Sequence, residues 1–302
     1  MTVQELNQRH GIAGAARFED GPGGLPLLKL TGQGAQAHVF LHGAHVVHFQ
    51  PAGEEPVLWV SSRSWYRADK PIRGGVPVCF PWFGANPSDA TAPMHGFARL
   101  SEWGVVSVER SPSGSIEAVL SLEEDGKSRP SWTSPFSLRL SVLVDRAALR
   151  LRLETSNPGR AALSITEALH SYFSVGDVRQ TSVLGLEGSA YLDTAGGQRV
   201  ERGPSRQPVT FSAETDRQYR DRSQTTVIVD PVLKRRIRVH KSGSGTTVVW
   251  NPWIEKAHRM EDFGDEEWPG MVCVETANAG EAAVTVAPGA THGMEATISV
   301  ER

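Results

Sequence analysis

Phe136-Ser-Leu-Arg-Leu-Ser-Val-Leu-Val144 and, three residues on, Ala148-Leu-Arg-Leu-Arg-Leu-Glu154 alternate apolar with polar side chains almost without a break. Successive side chains of a strand point to opposite faces, so a period of two buries one face and leaves serine and arginine on the other. A helix would scatter the same leucines around its circumference. The reading extends to segments 34–50, 57–61, 103–110, 116–122, 225–230, 237–240 and 246–250, all rich in Val, Leu, Thr and aromatics. Turn signals separate them: Gly21-Pro22-Gly23-Gly24, Ser111-Pro112-Ser113-Gly114, Glu124-Asp125-Gly126, Asn157-Pro158-Gly159, Gly196-Gly197 and Gly243-Ser244-Gly245. Helical candidates are few: 2–10, a turn near 61–65, and 255–263. The pattern predicts an all-β chain, a large antiparallel β-sandwich with a few short helices. It forms one domain over 1–302, without propeller-period repeats or a dividing linker.

Composition narrows the function classes. With 39% hydrophobic and 22% charged residues among 302, the chain is ordinary globular material that can bury a large core. Its 31 basic and 34 acidic residues are interspersed, for a net charge of −3, so the basic footprint of a nucleic-acid binder is missing. The first ten residues lack an apolar stretch of signal-peptide length, and no run reaches the length of a membrane span. The expectation is a cytoplasmic monomer with no nucleic-acid or membrane partner. Cys79 and Cys273 both sit in apolar sequence, which argues for buried thiols rather than a disulfide framework or a structural zinc site.

Two eye-catching motifs have plain readings. In a strand, the HxxHxxH spacing of His42, His45 and His48 sends alternate rings to opposite faces, and Gly43-Ala44 implies a bend, so metal ligation is disfavoured. The basic run Lys234-Arg235-Arg236 reads as a solvated sheet edge that discourages sheet-to-sheet association.

Three separated segments carry chemistry: Met94-His95-Gly-Phe-Ala-Arg99, Leu169-His170-Ser-Tyr-Phe173 and Cys273-Val-Glu275. Each sets a proton-handling group in apolar or β-branched sequence, where burial is costly unless the group has a partner or a task. Upstream, Ile72-Arg73-Gly-Gly-Val-Pro-Val-Cys-Phe-Pro-Trp82-Phe-Gly84 adds paired glycines that let backbone approach a ligand, and aromatics that suit sugar C–H groups. Arg73 and Arg99 together can clamp an anion, so this region reads as the wall of a pocket for a charged, hydroxylated ligand. A core role competes for His170 and for Trp82, and a salt-bridged structural role for Glu275. No Gly-rich phosphate loop precedes a helix, which disfavours nucleotide use.

These segments, with Glu214-Thr-Asp216-Arg217 and Val249-Trp-Asn-Pro-Trp253, resemble the hexose-6-phosphate mutarotases, or glucose-6-phosphate 1-epimerases, of the aldose 1-epimerase superfamily. The similarity runs from about residue 35 to 290, and the composite of motifs in this order is specific where any single one is weak. The resemblance implies a galactose mutarotase-like β-sandwich that interconverts α and β anomers of hexose 6-phosphates by acid–base ring opening, without metal or organic cofactor. It implies Glu275 as base on the anomeric hydroxyl, His170 as acid at the ring oxygen, and His95 as a second histidine bonding sugar oxygens. Arg73 and Arg99 would lie near the 6-phosphate, Asp216 would accept from sugar hydroxyls with Glu214 as its alternative, and Trp82 would face the ring. Two other functions remain open at this stage: an aldose 1-epimerase of free sugars, and a carbohydrate-binding protein without turnover.

Overall fold

The computed structural model describes residues 1–124, 131–221 and 223–302. The turn expected at Asp125-Gly126 lies outside them. The two alternating segments form strands Phe136–Asp145 and Ala148–Ser156, paired antiparallel with Leu140 opposite Leu153 and Val142 opposite Leu151. Leu138, Leu140, Val142, Val144, Leu149, Leu151 and Leu153 are all essentially buried. At about 1.5–3 kcal/mol per fully buried aliphatic side chain, this hairpin is a major source of stability. It lies within a nine-stranded antiparallel sheet that includes Gly104–Arg110, Ile116–Glu124, Thr225–Asp230, Arg235–Ser242 and Thr291–Glu301. An eight-stranded sheet contains Thr215–Arg220, Thr246–Asn251 and Met271–Asn278, and a four-stranded N-terminal sheet runs from Ala16–Asp20 to His45–Pro51. Residues of these three larger sheets, such as Leu30, Leu140 and Val274, join one apolar core.

Several expectations need adjustment. Segment 34–50 is two strands, Ala35–Phe40 and His45–Pro51, because Gly43 and Ala44 take positive φ of 75° and 46° at the bend between them. Segment 57–61 forms only isolated bridges, Leu58 to Phe173 and Val60 to Gly74. The first helix is Val3–His10, capped by Thr2, whose hydroxyl accepts from the Glu5 N–H while Glu5 accepts from the Thr2 N–H. The second is Trp253–Arg259, ending before the expected boundary. No helix among the described residues is long and apolar enough to cross a membrane.

The basic run is not an edge. Strand Arg235–Ser242 lies between Thr225–Asp230 and Thr291–Glu301. Arg235 is buried, donating to the carbonyls of Glu55, Pro56 and Ser174, and Arg238 pairs with Glu301 at 2.7 Å. The fork of guanidinium donors satisfies three carbonyls at one buried point.

The histidine string supports loops. His42 Nε2 lies 2.8 Å from the Lys70 carbonyl, His45 Nε2 lies 2.6 Å from the Gly74 carbonyl, and His48 stacks on His38 at 4.6 Å. Burial pushes His45 down to about 3, so it is neutral in the folded protein. An unfolded histidine titrates near 6.5. The stability gained from keeping His45 neutral is therefore full above pH 6.5 and is lost as pH falls toward 3. Between pH 7 and pH 5 the loss from this one residue should be about 2 kcal/mol. Urea unfolding of wild type and His45→Gln at both pH values checks this: the variant should lose correspondingly less, and equal losses would clear His45 of the role.

Candidate active site

The face of the eight-stranded sheet opposite Val249, Val272 and Val274 forms the floor of a cavity of about 420 Å³. Strand register sets its layout. Tyr172 pairs with Cys273, Cys273 with Trp250 and Trp250 with Asp216, forming one row across four strands. Two residues along, Glu275 pairs with Val248 and Val248 with Gln218. Because Leu169 pairs with Thr276 and Tyr172 with Cys273, His170 falls opposite Glu275 in the same register. His170 is not itself in a strand. It occupies the break between Glu167–Leu169 and Tyr172–Ser174, where its N–H donates to the Pro77 carbonyl.

His170 Nδ1 and Glu275 Oε1 are 3.3 Å apart, with both side chains buried. Tyr172 stacks on the imidazole with centroids 4.8 Å apart and planes 9° from parallel, which fixes the ring. Burial holds Glu275 well above the usual carboxylate range; nearby Asp216 adds to this and Arg99 opposes it. Burial likewise holds His170 well below its ordinary value, reinforced by the charges of Arg99 and Arg73. Burial thus disfavours the charged form of each member of the pair.

His95 lines the same cavity, its ring 5.4 Å from His170. It is held by a 2.6 Å bond from its N–H to the Gly84 carbonyl, and its Nδ1 accepts from the Gly84 N–H at 3.2 Å. With burial keeping the ring neutral, Nε2–H is left as a donor. Arg73 is clamped from a distance of 189 residues: Asp262 Oδ2 lies 3.1 Å from its Nε and its Nη2, and its Nη1 donates to the Tyr172 hydroxyl at 3.0 Å. The loop beyond it, at Gly74 and Gly75, has φ of 113° and 60°, and a Cβ on either would strike the carbonyls of Trp59 or Val46. Arg99 is 7% exposed; it donates one bond to the Met94 carbonyl, and its Nε has no hydrogen-bond partner.

Asp216, rather than Glu214, is on the cavity lining; Lys256 lies 3.6 Å from Asp216 and 2.9 Å from Glu214. Trp82 is in the core, 5% exposed, donating to the Pro93 carbonyl and packed edge-on against Phe97. Phe83, not Trp82, lines the cavity. Sequence reading missed Tyr172, Lys256 and Arg199 as lining residues. For Tyr172 a signal existed, since it stands two residues from His170. For Lys256 and Arg199 none did.

Residues 26–299 match the profile of the family described as aldose 1-epimerase. The chain belongs to the aldose 1-epimerase family. Among relatives of this epimerase-family chain, proteins provisionally named glucose-6-phosphate 1-epimerase occur in Cenchrus ciliaris and Escherichia coli K12. Each is 34% identical, over 89% and 85% of this chain and 82% and 84% of the relative. A crystal structure of a provisionally named mutarotase from Salmonella typhimurium superposes with a TM-score of 0.87 at 28% identity, covering 97% of this chain and 96% of that one. A galactose mutarotase-like protein from Clostridium acetobutylicum shares the fold at a TM-score of 0.74 and 14% identity, over 95% and 98% of the two chains. The all-β sandwich expected of the epimerase family is the fold observed.

Proposed function

We propose that this chain is an isomerase that interconverts the α and β anomers of a hexose 6-phosphate, glucose 6-phosphate in the first instance. The carrying observation is the His170–Glu275 pair at 3.3 Å in a cavity that also holds Arg73 and Arg99. Ring opening transfers one proton from the O1 hydroxyl to a base and delivers one to O5 as the C1–O5 bond breaks and the C1 carbonyl forms. Rotation about C1–C2 presents the other face of the aldehyde, and reclosure reverses both transfers. The cycle is redox-neutral and returns every proton, so the pair alone can run it.

In this reading Glu275 serves O1 and His170 serves O5. His95 Nε2–H donates to the oxygen that carries developing negative charge, and Asp216 accepts from a sugar hydroxyl. The 6-phosphate lies between the guanidinium groups of Arg73 and Arg99, and it does more than anchor. Arg73 presses on His170, whereas Arg99 presses on both members of the pair. A dianion bound at Arg73 relieves that pressure, so the imidazolium that protonates O5 becomes accessible once phosphorylated substrate is seated.

The test follows pure α-glucose 6-phosphate and pure α-glucose by polarimetry or NMR. The expected result is anomerisation of the phosphate ester well above its spontaneous rate. Acceleration of the free sugar alone would overturn the phosphate assignment. No acceleration of either would leave a sugar-binding protein.

A further inference from the structure

The sheet that builds the proton-transfer pair also brings it a sulfur. Cys273 precedes Glu275 by two residues on strand Met271–Asn278, so the two side chains share a face. Single ligand atoms of His170, Cys273 and Glu275 all lie within 4.8 Å of one another. The three residues are 7%, 0% and 2% exposed. Two of their polar atoms have unmet bonding capacity: His170 Nδ1 and Glu275 Oε2 are buried without a hydrogen-bond partner. Around tetrahedral zinc, with bonds of about 2.0–2.3 Å, neighbouring ligand atoms stand roughly 3.3–3.8 Å apart. The His170–Glu275 edge already has that length at 3.3 Å, and the thiol edges, within 4.8 Å, need a contraction of at most about 1.5 Å.

The geometry points to an inhibitory binding site for a zinc-class divalent cation on His170, Cys273 and Glu275, with its fourth position open to the substrate cavity. Imidazole, thiolate and carboxylate together select zinc, cadmium or cobalt over magnesium and calcium. The Cys273 thiol proton, together with any proton on the Glu275 carboxyl, leaves to solvent as the bonds to the metal form, and thiolate plus carboxylate balance the ion's two charges beside Arg73 and Arg99. The occupied pair has lone pairs committed to metal and can no longer shuttle protons. Inhibition rests on the pair being the proton-transfer machinery, whereas binding does not.

Two measurements test this. In anomerisation assays of glucose 6-phosphate, zinc chloride should inhibit the wild type, EDTA should restore it, and magnesium should do neither. Cys273→Ala and Cys273→Ser should keep their metal-free rate, yet need at least roughly 10-fold more zinc, since even outer-shell changes cost that much affinity. Separately, cobalt added to wild type should give a thiolate-to-metal charge-transfer absorption in the near ultraviolet that both variants lack. Equal zinc inhibition of wild type and variants, or no thiolate–cobalt absorption, would overturn the site. If wild type turns over no sugar, the functional reading fails on its own and the cobalt spectrum still decides the metal site.

Discussion

Glu275→Gln should lower kcat for glucose 6-phosphate anomerisation by about 10²–10⁴-fold, the usual contribution of a positioned acid or base. His170→Ala should fall in the same range. The double variant should be little worse than either, because the two groups move protons within one concerted cycle and act as a unit. Exchange NMR between the anomers at fixed pH reads the enzymatic rate above the spontaneous one. The same substitution should leave the protein at least as stable at neutral pH, which separates catalysis from folding. Burial raises the Glu275 pKa above its unfolded value, so folding disfavours the charged form. The sign follows from linkage: the folded state is best off below the unfolded pKa and loses stability as pH rises through the folded one. A neutral glutamine removes that dependence. Thermal unfolding at pH 7 should show no loss, and a Glu275→Gln protein that keeps more than a tenth of wild-type activity would exclude Glu275 as the base.

That Glu275 and His170 could be found in sequence has a physical cause. A carboxylate inside Met271-Val-Cys-Val-Glu and an imidazole beside Tyr172-Phe173 break the apolar pattern around them, and such breaks are costly unless used. The central sheet hairpin was equally legible, since Phe136–Asp145 and Ala148–Ser156 each bury one face, and a period of two records it. Strand Thr291–Glu301 was missed because its buried positions, Met294, Ala296 and Ile298, start three residues in and are small or unbranched in part. Segment 57–61 was overread for the opposite reason, as it is apolar and inside the molecule yet bridges rather than ladders with its neighbours. The remaining site residues depend on partners remote in sequence. Arg73 needs Asp262, and Lys256 needs Glu214 and Asp216. Local pattern carries no trace of such pairings, so Tyr172 as the link from Arg73 to His170, and Asp262 as the clamp on Arg73, emerge only once the sheet is assembled.

Arg99→Met should raise KM for glucose 6-phosphate roughly 100-fold, the loss of about 3 kcal/mol expected when one or two charge-assisted hydrogen bonds to a dianion disappear. Free glucose, which has no charge for Arg99 to meet, should change little. Methionine fills much of the same volume, so the wall beside Met94 stays packed. A second readout tells a lost phosphate contact from a disturbed pocket. Arg99 lowers both Glu275 and His170 through its charge, so without it both groups shift upward and the bell-shaped dependence of kcat/KM moves to higher pH as a whole. Mere loosening of the wall has no reason to move either limb. The arginine is also expensive to keep. It is buried, its Nε lacks a partner, and burial already depresses its own affinity for a proton. Its replacement should therefore leave Tm unchanged or raise it, as expected of a charge held in place for an anion that arrives with the substrate. Steady-state kinetics with both sugars across the pH range test the assignment, and equal rises in KM for the phosphorylated and the free hexose, with an unmoved profile, would remove Arg99 from the phosphate site.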